Sequence, residues 1–184
     1  MGIIRGIVRR TNEYMGAQSL KRLLPPDPCD FGNIRIRPVT IDEIEDIVEI
    51  HKISFDTPTP RKKRLLRYSM YYPHFFVAAE IDNIVIGYTI FRIIFSISKK
   101  GVKRKAHLLF IAVHPDNRCK NIGSHLLDYS IKTLKGCKIS EIFLYVSTEN
   151  MPALKLYDKL EFKVVKPMKD ICGAPDCYLM ERFL

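Results

Sequence analysis

Ala106–Val113 (AHLLFIAV) is almost wholly apolar and ends abruptly in the polar stretch His114–Lys120 (HPDNRCK). A short apolar run closed by a turn is a strand that must be covered on both faces. A chain with such a strand needs a layer on either side of its sheet, and the flanking segments supply them. Lys120–Lys135 places Ile122, Leu126, Leu127, Ile131 and Leu134 on one helical face, with Gly136 as a stop. Thr40 followed by Glu43 is a capping-box pattern, and Ile44, Ile47, Val48 and Ile50 continue it as a helical stripe to His51. Arg61–Met70 and Asn150–Leu160 read as two further helices. Ile34–Arg37 alternates as a half-buried strand does. His74–Ile81 and Ile84–Ser98 are rich in β-branched and aromatic residues, with Asp82-Asn83 as the hairpin turn between them. Lys99–Lys105 reads as a second turn. Glu141–Ser147, Phe162–Lys166 and Tyr178–Phe183 complete the strands. Hairpins followed by strand-helix-strand units imply a mixed sheet with helices on its faces. Residues 1–33 read as an N-terminal arm, partly helical around Ile7, Tyr14 and Leu20–Leu24. The arm ends in PPDPCDFG, whose prolines break regular structure, and the compact domain is expected over 34–184.

Composition narrows the class. The chain has 184 residues, 47% hydrophobic and 27% charged, which excludes a disordered or fibrous chain. No uncharged apolar stretch is long enough for a spanning helix. The net charge of +10 is local: Arg61–Arg67 (RKKRLLR) and Lys99–Lys105 (KKGVKRK) hold ten bases and no acid, and the rest of the chain is balanced. Such runs fit an anionic partner or are two solvated faces. The five cysteines form no CxxC and no zinc-finger spacing, so no metal is expected. The odd count argues against a disulfide framework and fits a reducing cytoplasm. Cys172 and Cys177 would pair only if the fold brought them together. The start, MGIIRGIVRR, is not a secretory signal.

The chemistry lies in Phe110–Leu127. A buried strand ends, a polar turn follows, and a helix begins near Asn121-Ile122-Gly123. A helix start presents unpaired N–H groups and the positive end of the dipole, which suits phosphate. Gly123 admits a close approach, and Arg118 and Lys120 add charge. The local pattern fits an ordinary strand-turn-helix equally well.

The loop Arg118-Cys119-Lys120-Asn121-Ile122-Gly123 resembles the Q/R-x-x-G-x-G/A loop of the GNAT acetyltransferase superfamily, with Asn121 at the first glycine. Asn150-Met-Pro-Ala153-Leu-Lys-Leu156-Tyr157-Asp-Lys-Leu160-Glu-Phe162 resembles its N-x-x-A-x-x-L-Y-x-x-x-G-F helix, with Glu161 at the glycine. The resemblance covers residues 34–184 and is closest to protein N-terminal α-acetyltransferases of the archaeal and ribosomal-alanine type. FFVAAEIDNIVIGY and the ending YLMERFL belong to that likeness. It implies the GNAT fold: α+β (mixed α/β), a central, mostly antiparallel mixed sheet of about six to seven strands flanked by about four helices. It also implies acetyl-CoA as co-substrate. Backbone of Ile111, Ala112 and Val113 would bind the pantetheine arm, Arg118 and Cys119–Ser124 (with Lys120, Asn121, Ile122 and Gly123) the pyrophosphate, and Asn150 the cofactor arm. Tyr157 would protonate the leaving thiolate, a role that suits a phenol.

For the base, the subfamily's Glu on the strand before the Asn helix is replaced by Tyr145. His107 occupies the alternative position early on the central strand. An unperturbed imidazole, with pKa about 6.5, would suit water-mediated proton removal, and Tyr145 would help place water or peptide. His114 reads as a turn residue and His125 as an exposed helix position. On the acceptor side, Phe55 and Asp56 lie in the loop after the first helix, and Asp56 would replace a Glu that some relatives carry there. The last hairpin, Lys169–Pro175, lacks the family's tyrosine pair. The implied activity is acetyl transfer to a protein N-terminal amine in a ternary complex. A small-amine or lysine acetyltransferase, or an acyl-CoA-binding regulatory module of low activity, are the alternatives. Both basic runs, 61–67 and 99–105, fall on the acceptor side, where they would favour acidic peptides or dock on ribosomal RNA.

Overall fold

The structure is a computed structural model of the chain, and residues 27–55, 62–98 and 101–184 are described here, with backbone alone for 96–98, 101 and 102. The N-terminal helix expected before residue 27, and Asp56, Arg61, Lys99 and Lys100, lie outside the described residues. The strands are β1 (Cys29–Phe31), β2 (Ile34–Pro38), β3 (Phe76–Ile81), β4 (Ile84–Ser98), β5 (Gly101–Val113), β6 (Glu141–Ser147), β7 (Lys163–Lys169) and β8 (Asp176–Phe183). The helices are α1 (Ile44–Ser54), α2 (Lys62–Tyr71), α3 (Ile122–Gly136) and α4 (Met151–Lys159). One sheet joins the strands in the order β1-β2-β3-β4-β5-β6-β8-β7. Every neighbouring pair is antiparallel except β5 and β6. No helix among the described residues is long and apolar enough to cross a membrane.

The two helical layers follow from the apolar stripes. Ile44, Ile47 and Ile50 of α1 are buried with Phe76, Tyr88 and Ile90 on one face of the sheet. Ile122, Leu126 and Tyr129 of α3 are buried against Ile36, Val77, Ala79 and Ile86 on the other. Fully burying aliphatic and aromatic side chains of this size is worth about 1.5–3 kcal/mol each. The capping-box reading holds in part: the Thr40 N–H donates to Glu43 Oε2 at 2.8 Å. Glu43 also accepts from Arg37 Nη1 at 3.0 Å, and Arg37 Nε donates to Glu80 at 3.0 Å. This cluster ties the start of α1 to β2 and β3. At Gly87 an added Cβ would lie 2.9 Å from the Ala112 carbonyl oxygen, so the glycine lets β4 and β5 close together.

The mixed, mostly antiparallel sheet, flanked among the described residues by four helices, is the fold class expected from the sequence, and four details differ. The sheet has eight strands, because Cys29–Phe31, assigned above to the arm, pairs with β2. Lys99–Lys105 is not simply a turn: β5 begins at Gly101, and β4 and β5 pair out to Ser98 and Gly101. His74 belongs to a 3₁₀ turn, Pro73–Phe75, and the strand starts at Phe76. Cys172 and Cys177 form a disulfide. The β7–β8 hairpin brings them together: Lys169 pairs with Asp176, and the Asp170 N–H donates to the Pro175 carbonyl at 3.1 Å.

Candidate active site

The site begins where a sheet ladder fails. β5 and β6 pair at Lys105–Glu141, Ala106–Ile142 and His107–Phe143 and no further. Both strands run on, to Val113 and Ser147, each held on its outer side by β4 or β8. They diverge, and a V-shaped split opens in the middle of the sheet. From Leu108 onward the inner edge of β5 has no strand beside it among the described residues, so the backbone of Ile111, Ala112 and Val113 is a template for an extended, amide-bearing ligand.

A bulge sets what each face of the split presents. Ile90 pairs with Phe110 and Phe91 with Leu108, leaving Leu109 as the extra residue. Phe110 and His107, three apart, therefore point to the same face, the side of α1. The Phe110 ring lies 4.9 Å from His51 and 5.9 Å from Phe55. Phe55 caps α1 through its N–H to the His51 carbonyl at 3.1 Å. Ile111 points the opposite way, toward Gly123 of α3.

On that opposite side lies the loop after β5. The His114 N–H bonds to the Ile86 carbonyl at 2.8 Å, a 3₁₀ turn spans Pro115–Asn117, and Arg118 Nε donates back to the Val113 carbonyl at 3.2 Å. Cys119 (φ 61°) and Asn121 (φ 59°) are both left-handed, so the chain reverses twice before α3 starts at Ile122. Asn121 thus adopts the backbone expected of the missing glycine, and the first-turn N–H groups of Ile122, Gly123 and Ser124 converge at the helix start. Lys120 Nζ donates to the Asp116 carbonyl and Asn117 Oδ1 at 3.2 and 3.1 Å. A Cβ on Gly123 would come within 3.2 Å of Leu156 Cδ2, which shows how closely α4 lies beside this loop. Asn150 caps α4, its Oδ1 accepting from the Ala153 N–H at 3.1 Å. One turn beyond Ala153, Tyr157 is buried, its ring 5.7 Å from Phe162. Burial pushes its phenol well above the ordinary range, so it remains a proton donor at neutral pH.

His107 stands at the apex of the split. Its ring stacks on Phe143 at 4.5 Å and meets Tyr145 edge-on at 5.5 Å. Arg92, opposite on β4, places Nη2 3.3 Å from Nδ1. Burial first, and the Arg92 charge second, push the imidazole down to about 4. The environment is therefore not that of the unperturbed imidazole expected from the sequence, and His107 is neutral at pH 7. His125, expected to be exposed, is half-buried and stacks on Phe31 at 4.0 Å. Among the described residues no group of three His, Cys, Asp or Glu could hold a metal ion.

Two residues beside the site escaped the sequence reading. Arg92 is the only charged residue in the fifteen of β4, which is the signal that marks it. His51 falls on the apolar stripe of α1; it is fully buried, its Nδ1 is 2.5 Å from the Tyr88 hydroxyl, and burial pushes it down to about 4.

Residues 44–162 match the sequence model described as the acetyltransferase (GNAT) family. The chain is 35% identical over 153 residues to an N-alpha-acetyltransferase of Saccharolobus solfataricus, covering 80% of this chain and 91% of that one. Ard1 from Thermoplasma volcanium superposes with a TM-score of 0.72 at 22% identity, covering 83% of this chain and 98% of that one. Arabidopsis thaliana Naa50, solved with a bisubstrate analogue, superposes with a TM-score of 0.69 at 20% identity over 82% of this chain and 98% of its own.

Proposed function

Because the chain belongs to the acetyltransferase (GNAT) family, we propose that it carries an acetyl group from acetyl-CoA to the α-amine of a protein N-terminus. The amine nitrogen bonds to the thioester carbonyl carbon within a ternary complex, the carbon–sulfur bond breaks, and no covalent enzyme intermediate forms. The amine gives up its proton to solvent, and Tyr157 supplies one to the departing thiolate. The free β5 edge at Ile111, Ala112 and Val113 receives the amides of the pantetheine arm. Arg118, Lys120 and the N–H groups between Cys119 and Ser124 surround the pyrophosphate. Asn150 orders the start of α4 so that Tyr157 points inward. Phe55 and Tyr145 line the acceptor side, with Asp56 beside Phe55 in sequence. The observation that carries this reading is the likeness to an N-alpha-acetyltransferase along nine-tenths of that protein.

One observation favours the second reading, a small amine or a lysine side chain as acceptor. The β7–β8 loop offers no tyrosine pair and is closed instead by the Cys172–Cys177 disulfide. The basic runs bear on the acceptor too. Lys62 pairs with Glu45 and Lys105 with Glu141, while Lys63, Arg67 and Lys103 are exposed. They suit acidic acceptor peptides and would also serve to dock on ribosomal RNA.

The test is mass spectrometry of the chain with acetyl-CoA and a panel of peptides, spermidine and lysine peptides, each at low and high salt. Acetylated peptide α-amines are expected, with the acceptor KM of acidic peptides rising with salt. Tyr157→Phe should lower kcat by about 100-fold with little change in acetyl-CoA affinity. Product only on spermidine or lysine side chains would sink the N-terminal reading. CoA binding with no product on any acceptor would leave a regulatory module.

A further inference from the structure

We infer that His107 works as a hydrogen-bond donor through Nε2, locked in that tautomer by Arg92, and not as the base that takes the acceptor's proton. A guanidinium has five N–H donors and no lone pair to offer. With Arg92 Nη2 3.3 Å from Nδ1, that nitrogen must present its lone pair. The proton of a neutral imidazole is then on Nε2. The two ring nitrogens face roughly opposite ways, so Nε2 points away from the Arg92 guanidinium, in a ring whose face is stacked on Phe143. The N–H is carried by a ring that stands at the last β5–β6 pair, the apex of the split. To act as a base, the ring would have to accept a proton at Nδ1, which would set N–H against N–H and cation against cation. Burial disfavours the charged ring in the same direction.

Among the described residues no carboxylate is recorded in contact with the ring. β4 presents Arg92. β6 presents Phe143 and Tyr145, stacked and edge-on. Along the strands the nearest charges on this face are Lys105 and Glu141, already paired with each other. On β8 the register puts Glu181 opposite Phe143, on the far side of that ring from His107. From α1 comes His51, itself neutral and turned to Tyr88. Arg92 is accordingly a positioning residue: it acts through the imidazole and holds Nε2–H ready for a substrate oxygen at the apex. The substrate's nature rests on the function proposed above; the tautomer does not. An α-amine has a pKa near 7.7–8.0 and can reach its reactive form without an imidazole base.

Long-range 1H–15N NMR of the histidine rings in the full chain tests this, with His107→Gln identifying the His107 signals. An Nε2–H tautomer that persists unprotonated to pH 5 is expected. An Nδ1–H tautomer, or titration between pH 6 and 7, would overturn the inference. Arg92→Met should release the ring, mixing the tautomers and raising its midpoint by about one pH unit or more, while Arg92→Lys should retain Nε2–H. An unmoved tautomer in Arg92→Met would overturn the role of Arg92, and if that variant does not fold, the wild-type and Arg92→Lys spectra still decide. In kinetics the acidic limb should follow the pKa of the acceptor amine across a peptide series. A limb fixed near pH 6.5 for every acceptor and abolished in His107→Gln would restore His107 as the base. If the spectra agree but no peptide is acetylated, the tautomer stands and the proposed function fails alone.

Discussion

Asn121 and Glu161 occupy the two positions where the motifs have glycine, and both adopt left-handed backbone, at φ 59° and 63°. For an L residue this conformation costs about 1–2 kcal/mol, and less for Asn, whose short polar side chain tolerates it. Glu161 has a partial offset, an ion pair to Arg182 at 3.0 Å, but its side chain is 77% exposed, so the pair is worth little. Glu161→Gly should therefore stabilise the fold by about 0.5–1 kcal/mol, after allowing for glycine's greater unfolded freedom. Asn121→Gly should be near neutral. Asn121→Val should destabilise by more than 1 kcal/mol, roughly, and weaken acetyl-CoA binding. Urea unfolding and CoA titration read both; a Glu161→Gly variant less stable than wild type would show that the ion pair outweighs the strain. The backbone demand at these positions was legible in the motifs. The identity of the residues meeting it was a departure that only the φ angles explain.

At the scale of elements, the strand and helix order followed from periodicity, and the helices α1, α3 and α4 carry the stripes that sequence spacing marks. What was hidden is physical. β1 has three residues between prolines and a glycine, too short for an alternation to register. The start of β5 carries lysines that look like a solvated turn, yet Lys105 joins Glu141 on β6 and Arg104 stands 5.8 Å over the Phe95 ring, so charge and aromatic contacts support the strand there. The bulge at Leu109, which brings His107 and Phe110 to one face, leaves no mark in composition. Neither does the disulfide, because five-residue spacing says nothing until Lys169–Asp176 closes the hairpin. Closing so small a loop removes about 2 kcal/mol of unfolded-state entropy. Reduction, or Cys172→Ser with Cys177→Ser, should lower Tm by about 4–8 °C for a chain of this size. It should also speed amide exchange around residues 170–176. An unchanged Tm would mean that the hairpin ladder alone sets the loop.

The whole molecule is organised around a split sheet with different chemistry on its two faces. The phosphate-suited loop and Tyr157 lie with α3 and α4, and the aromatic and imidazole groups lie with α1. Two of those imidazoles, His51 and His107, are held neutral, each pushed down to about 4. In the unfolded chain both would protonate at about 6.5. Below that pH the unfolded state binds protons that the folded state refuses, so stability must fall as pH falls from about 6.5 to 4. Below 4 both states are protonated and this loss levels off. Each fully refused proton costs at most about 1.4 kcal/mol per pH unit. Glu43, where burial raises the pKa but hydrogen bonds from Arg37 and Thr40 outweigh it and lower it, adds acid sensitivity too, but only within and below the carboxylate range. The window between 6.5 and 4.5 therefore belongs to the histidines. His51, fully buried, should account for about half of it. His51→Gln keeps an acceptor for the Tyr88 hydroxyl while removing the titration. Denaturant unfolding from pH 7.5 to 4.5 should show wild-type stability falling steeply below 6.5 and the variant falling about half as steeply. Equal slopes would mean that His51 protonates in the folded chain as freely as in water, and that α1 does not seal this face of the sheet.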